Sequence, residues 1–126
     1  MRAPPACLQR WPSAAEQVSA LVDRLGAGLR SQVLLVPHHG SRTSSSEAFI
    51  GAVAPGTALV QAAYRSRFGH PAPEVPARYR ALGVELVRSD ACGAWSWGAQ
   101  GVARCQRETA TRYWHHRVDG GQAAGR

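Results

Sequence analysis

The stretch VLLVPHHGSRTSSSE, residues 33–47, contains the signals that decide the fold. It begins with apolar and β-branched residues, and Pro37 ends this run because proline has no backbone N–H to offer a strand. Near its other end, Ser44 and Glu47 have the spacing of a helix capping box. The stretch therefore predicts a buried strand over 32–36, a polar loop, and a short helix after the loop.

Outward from this stretch, helix and strand signals alternate along the chain. On the amino-terminal side, Ser13 and Glu16 form another capping-box pattern, which predicts a helix over 14–29. On the carboxyl-terminal side, the pattern predicts strands over 57–63 and 84–88, a helix over 73–82, a turn over 90–93, a hairpin of 94–97 with 102–105, and a final helix over 107–116. Such alternation is typical of an α/β fold, here a layered sheet with flanking helices and a C-terminal hairpin.

The length of 126 residues suits one small domain rather than two. Residues 1–13 include three prolines and no periodicity, which predicts a disordered or unrelated tail. Residues 118–126 are rich in glycine and predict a flexible tail. The folded domain is therefore expected over 14–117.

The composition is that of an ordinary globular protein, with 44% hydrophobic and 18% charged residues. No apolar run approaches the ~20 residues that a membrane helix needs, and the first residues lack the apolar core of a signal peptide. The chain as it stands is therefore expected in the cytoplasm. The net charge of +7, with 15 basic residues that are all arginine, favours anionic partners such as nucleic acid. The arginine usage alone also fits a GC-rich coding sequence.

The three cysteines Cys7, Cys92 and Cys105 are an odd number and have no CxxC spacing, so they predict neither a zinc ribbon nor a disulfide framework. Cys92 and Cys105 flank neighbouring predicted strands and could pair in an oxidising compartment. Buried free thiols are the favoured interpretation.

The adjacent histidines His38 and His39 follow the first predicted strand, and sites in α/β folds collect at such strand ends. A neutral imidazole nitrogen is a good zinc ligand, so both residues are candidates for binding a metal. In extended backbone their side chains point to opposite faces, so they would share one metal only if the loop bends sharply. Because one strand end cannot make a zinc site, a surface loop before a capped helix is the alternative.

A phosphate-binding site is a second hypothesis for the same loop. Ser41, Arg42 and Ser45 follow the histidines and lead into the predicted helix. Free backbone N–H groups at a helix N-terminus, together with an arginine, suit a phosphate group. These three residues are therefore candidates for binding phosphate or DNA.

A second candidate loop, RSRFGHP at residues 65–71, follows the predicted strand over 57–63. Arg65 and Arg67 could bind a nucleic-acid backbone, and the aromatic residue between them and the turn could stack a base. His70 could act as a general acid or orient a phosphate, which makes it the candidate catalytic residue. The alternative is an exposed loop with a turn-forming glycine and proline.

The two loops should lie together. If the strands over 32–36 and 57–63 are parallel neighbours joined by one helix, their carboxyl ends coincide. His70 is then expected on the same edge of the sheet as His38 or His39, facing one shallow pocket.

The run LVPHHGSRTSS, residues 35–45, resembles the metallo-β-lactamase-like domain at the C-terminus of ComEC-type competence proteins, the DNA-uptake channels of the bacterial inner membrane. Further stretches resemble this family in register and extend the similarity to about residues 14–117, namely Phe49, 53–55, 65–71, 80–83, 93–95 and 112–117. The long linked pattern is specific, although no single piece of it is.

The resemblance implies a domain on the extracytoplasmic side that hydrolyses a DNA strand with a divalent metal, zinc or manganese, with DNA and the rest of the channel as partners. His38 or His39 would be the late metal-binding histidine of the family. The family's upstream HxHxDH-like motif is absent, and residues 10–13 stand where the family has a Gly-Asp pair. The chain is therefore expected to be a truncated half of the αββα fold, catalytically incomplete and without a metal of its own.

Two alternatives remain open at this point. The chain could be a small basic nucleic-acid-binding module that uses Arg42, Arg65 and Arg67. It could also be a hydrolase whose missing ligands come from a partner chain.

Overall fold

Three short parallel strands form the main sheet in the computed structural model, which describes residues 12–115. They are β1 (Val33–Leu35), β2 (Thr57–Val60) and β3 (Glu85–Arg88), and they lie in the order β1-β2-β3. The strands are shorter than the sequence predicts but lie in the same places. The structure is mixed α/β, with helices and strands that alternate along the chain, and the metallo-β-lactamase-like assignment stays a prediction.

The first helix, α1 (Ala14–Leu25), begins with the predicted capping box. The Ser13 hydroxyl accepts from the backbone N–H of Glu16, and the Glu16 carboxylate accepts from the backbone N–H of Ser13. The helix ends at Gly26, whose φ of 45° leaves the helical range, and a single 3-10 turn completes the segment to Leu29.

The second helix, α2 (Glu47–Val53), begins two residues later than the prediction. Ser46, not Ser44, is its N-cap, because the Ser46 hydroxyl accepts the backbone N–H of Phe49 at 3.2 Å. The Ser44 hydroxyl instead donates to the carbonyl of Ser41 at 2.8 Å, inside the preceding loop. Several serines in a row offer more than one capping register, and burial of Ser44 decides between them here.

The third helix, α3 (Glu74–Ala81), covers the sheet and completes the core. The core consists of side chains from β2, α2 and α3 and from the segments just after β1, before α3 and before β3, namely Val36, Ile50, Ala58, Val60, Ala72, Val75, Tyr79 and Val84. Tyr79 is fully buried, so its ring packs in the core while its hydroxyl needs a polar partner. Within residues 12–115, no helix is long and apolar enough to cross a membrane.

The carboxyl-terminal part is a separate two-stranded antiparallel sheet of β4 (Trp95–Trp97) and β5 (Ala103–Cys105). The predicted turn before it is a one-turn helix, α4 (Ser89–Cys92). The predicted final helix is wrong beyond α5 (Gln106–Thr109), because Thr109 and Thr111 turn their hydroxyls back onto backbone carbonyls and the chain leaves the helix at Ala110.

A disulfide joins Cys92 to Cys105, so the prediction of two free thiols is wrong. The hairpin brings the start of β4 opposite the end of β5, with Trp95 paired to Cys105, and this places Cys92 next to its partner. Cys7 and most of the two predicted tails lie outside the described residues.

Candidate functional site

Two loops follow the carboxyl ends of β1 and β2 and are fastened to each other. The Gly40 carbonyl accepts the backbone N–H of Ala72 at 2.9 Å, and Gly40 has no room for a side chain against Pro71. The ring centroids of His38 and His70 lie 6.4 Å apart. The prediction that these histidines share one edge of the sheet is therefore confirmed, whereas the shallow pocket between them stays a prediction.

The first loop bends more sharply than extended backbone allows. His38 and His39 have φ values of 48° and 54°, so two successive residues that are not glycine adopt the left-handed conformation. This conformation is uncommon and costs roughly 1–2 kcal/mol per residue. The expectation that the two side chains point to opposite faces of an extended segment is therefore wrong, since the segment is a tight turn.

Each histidine at this edge has a different environment. The Nδ1 atom of His39 lies 3.1 Å from the carbonyl oxygen of Gln61, which can only accept, so Nδ1 carries the proton and Nε2 remains available in the neutral ring. The Nδ1 atom of His38 lies 3.2 Å from the Ser41 hydroxyl. The Nδ1 atom of His70 is buried and has no hydrogen-bond partner within residues 12–115.

Hydrogen bonds from side chains of helix α3 hold the first loop in place. The Arg78 guanidinium donates from Nη1 to the carbonyls of Arg42 and Ser45 at 3.0 and 2.9 Å. The Tyr79 hydroxyl donates to the Ser45 hydroxyl at 3.1 Å, and burial raises the pKa of Tyr79. Sequence reasoning missed this clamp, because its partners are more than thirty residues apart and Arg78 looks like any surface arginine on a helix.

The three residues predicted to bind phosphate in the first loop are placed differently from one another. Ser45 is fully buried with its hydroxyl bonded to Tyr79, so its side chain supports the loop rather than facing solvent. Ser41 is half-buried beside His38. Arg42 is exposed, and its Nε atom lies 3.1 Å from a carboxylate oxygen of Glu74.

The second loop presents two arginines to solvent. The Arg65 guanidinium lies 5.2 Å from the ring centre of Tyr64, and the Arg67 guanidinium lies 4.8 Å from that of Phe68. In the part of the chain that the structure describes, neither guanidinium is paired with a carboxylate. Two exposed positive charges therefore lie after the carboxyl end of β2, in the same loop as His70 and one loop away from His38 and His39.

The family resemblance implies a divalent metal, and the residues at this edge do not fit one by themselves. Among residues 12–115, no group of three or more histidine, cysteine, aspartate or glutamate side chains is arranged to hold an ion. Glu74 is close to Arg42 and pairs with it. Zinc takes four ligands, or three and a water molecule, and His38, His39 and His70 are not arranged around one ion as such a set must be.

Comparison with known proteins finds two competence proteins. Over 97 residues, 75% of the chain, it is 41% identical to Competence protein ComA of Neisseria gonorrhoeae. Over 65 residues, 52% of the chain, it is 34% identical to ComE operon protein 3 of Bacillus subtilis (strain 168). The chain spans 14% and 8% of the lengths of these relatives.

No protein-family model matches the chain. No solved structure matches it either. The identity to two competence proteins from different bacteria nevertheless covers 75% and 52% of the chain, and it supports assignment of the chain to a competence and DNA-uptake family.

Proposed function

We propose that this chain forms a DNA-contacting part of a metallo-β-lactamase-like domain in a competence protein. DNA phosphates bind at the edge of the sheet where the loops after β1 and β2 meet. The observation that carries the proposal is a pair of exposed arginines, Arg65 and Arg67, which pair with no carboxylate among residues 12–115 and lie next to the histidine turn, the tight turn at His38 and His39. The net charge of +7 and the names of the two relatives support the same partner.

The geometry suits an oxyanion such as a phosphate for a physical reason. A guanidinium offers a planar fork of N–H donors that matches two phosphate oxygens, and each arginine here lies over an aromatic ring. Arg42 is exposed as well, but it must leave Glu74 to reach a phosphate. We therefore assign the main contacts to Arg65 and Arg67 and a weaker one to Arg42.

The isolated chain, we propose, does not hydrolyse DNA. The imidazoles at the edge lack further metal ligands among residues 12–115, so no hydrolytic step is assigned to His70, which we place instead beside the bound phosphate. A second candidate function is a hydrolase completed by another polypeptide segment. It is favoured by the Nε2 atom of His39, which the bond to Gln61 leaves unprotonated in the neutral ring and open to a ligand.

The disulfide provides evidence about the cellular compartment in which the domain lies. Disulfides persist in oxidising surroundings and are rare in the cytosol, so the Cys92–Cys105 pair supports a site outside the cytoplasm. We propose that the domain lies on the extracytoplasmic side of the inner membrane, beside the rest of a DNA-uptake channel. This replaces the cytoplasmic location expected from the sequence.

The test measures DNA binding by fluorescence anisotropy at several salt concentrations. The variant with Arg65→Gln and Arg67→Gln should bind a labelled 20-nucleotide strand at least about tenfold more weakly at low salt. Its plot of log K against log salt should be shallower by about 1.4, because two phosphate contacts are lost at ~0.7 each.

The control is Arg30→Gln, which removes an exposed charge at the opposite edge of the sheet, where Arg30, Gln32 and Gly56 line a shallow depression. It should retain most of the affinity. An equal loss in the Arg30 variant and the double variant would mean that binding depends only on total charge, and the proposed site would then be abandoned.

A further inference from the structure

The aromatic side chain of Phe68 is exposed to solvent and not buried in the core. It is 68% exposed, although the loop that carries it is next to the core. Single exposed apolar residues are common and need no explanation by themselves. Phe68 differs because Arg67 lies over its ring at 4.8 Å and the His70 ring lies nearly parallel to it, with centroids 6.5 Å apart and planes 19° apart.

The backbone around Phe68 is fixed by turns. The N–H of Phe68 donates to the Ser66 hydroxyl at 3.3 Å, and the N–H of Gly69 donates to the Ser66 carbonyl at 3.1 Å. At the start of the loop, the Ser89 hydroxyl bonds both the N–H and the carbonyl of Ala62, at 2.9 and 3.0 Å. A ring that is exposed on a fixed loop is organised for contact before any ligand arrives, which lowers the entropy cost of binding.

A series of rings connects this exposed ring to the histidine turn. Phe68 lies beside His70, and His70 lies 6.4 Å from His38. Positive charge accompanies the series at Arg65 and Arg67. Aromatic faces that alternate with cations are the pattern by which proteins hold unpaired nucleotides, because bases stack on the rings and phosphates bind the cations.

We infer that Phe68 is a stacking platform for an unpaired base, and that the site therefore selects single-stranded over double-stranded DNA. The inference rests on the proposed function, since it names the form of DNA that the same site takes. In a duplex both faces of each base are covered by neighbouring pairs, so Phe68 has no ring to stack on. In a single strand a base is free to lie on Phe68 while its phosphate reaches Arg67.

The experiment compares three labelled probes of one length: an oligothymidylate, its duplex with oligoadenylate, and a strand of abasic residues. Phe68→Ala should weaken binding to the oligothymidylate by about 5- to 150-fold, the range for loss of one base–aromatic stack. Binding to the duplex and the abasic strand should change by less than about twofold. Phe68→Trp should restore binding to the oligothymidylate, whereas Phe68→Leu should not.

The salt dependence separates stacking from a structural role. Stacking involves no counterion, so Phe68→Ala should lower the affinity and leave the slope of log K against log salt unchanged. A shallower slope, or an equal loss on all three probes, would mean that Phe68 only positions the arginines, and the inference would be rejected. If the arginine double variant binds normally, the proposed function fails; if only the Phe68 pattern is missing, the proposed function stands without this inference.

Discussion

Three successive residues at the edge of β1, His38, His39 and Gly40, have positive φ values of 48°, 54° and 77°. Two of them, His38 and His39, bear the side chains that are candidates for binding a metal. Unfavourable backbone conformations of this kind persist only where surrounding contacts fix them, and they concentrate at functional sites. Here the fixing contacts are the hydrogen bond from His39 to Gln61 and the bond from the N–H of Ala72 to the carbonyl of Gly40.

Gly40 allows a direct test of how tightly the two loops are joined. A Cβ atom at Gly40 would lie 2.7 Å from Cβ and 3.2 Å from Cα of Pro71, and it would also have to accept a φ of 77°. The second loop cannot yield without losing its backbone bond to Gly40. We expect Gly40→Ala to lower the free energy of unfolding by about 2–4 kcal/mol, measured by urea denaturation.

The matched control is Gly51→Ala in the middle of α2. A Cβ atom there meets nothing within 4 Å and the backbone is helical, so the change should raise the free energy of unfolding by about 0.5–1 kcal/mol. Equal stability of the Gly40 variant and the parent chain would show that the loops separate easily. The site would then not be held together as described.

At the scale of elements, local sequence signals predicted where helices begin and where strands end. The capping box at Ser13 and the strand stop at Pro37 follow from short-range rules, the parallel order of β1 and β2 follows from the rule for strands joined by one helix, and the structure confirms all three. The long-range contacts were not predictable in the same way. Nothing in the local sequence distinguishes Arg78, which clamps the histidine loop, from the exposed Arg80 on the same helix.

The element that depends most on a single link is the hairpin of β4 and β5. It shares no strand pairing with the main sheet, each of its strands has three residues, and a two-stranded hairpin alone is marginally stable in water. The Cys92–Cys105 disulfide closes it where it meets α4. Replacing both cysteines with serine should therefore speed amide hydrogen exchange in residues 94–105 by at least about tenfold, with much less change in β2.

The comparison for this prediction is Cys7→Ser, which removes the third cysteine and leaves the disulfide intact. Hydrogen exchange in this variant should match the parent chain. Faster exchange of β2 and the hairpin together would show instead that the two sheets unfold as one unit, and unchanged exchange everywhere would show that the link carries no stability.

At the scale of the whole molecule, the candidate site divides into a predictable and an unpredictable half. His38, His39, His70, Arg65 and Arg67 come from two strand ends, and a parallel sheet places such ends together. The environments of Ser45 and Arg42 depend on contacts with α3, in which Tyr79 bonds to Ser45 and Glu74 pairs with Arg42. Those contacts are set by packing between distant segments, which a single sequence does not reveal.

The side chains available as metal ligands lead to the last prediction, that the purified chain retains no stoichiometric metal. An imidazole replaces only part of an ion's hydration shell, so imidazoles that do not converge on one ion leave zinc or manganese mostly solvated and exchangeable. Without a held ion, no bound water has its pKa lowered toward neutrality, so the chain should not cleave DNA even though it binds it. Elemental analysis after dialysis should find well below one zinc or manganese per chain.

His39→Ala and His115→Ala make the result specific to the site, because His115 lies near the carboxyl end of the described segment, where its ring nitrogen accepts the backbone N–H of Arg112. One result would contradict the prediction: the parent chain and the His115 variant each keep about one metal ion and cleave DNA, and the His39 variant does neither. The interpretation that the metal ligands at this edge are incomplete would then be wrong. A second chain or an undescribed segment must then complete the site, since residues 12–115 do not offer the ligands. The hydrolase completed from outside would become the better account of the same histidines, and their unfavourable backbone would be explained by the metal they hold.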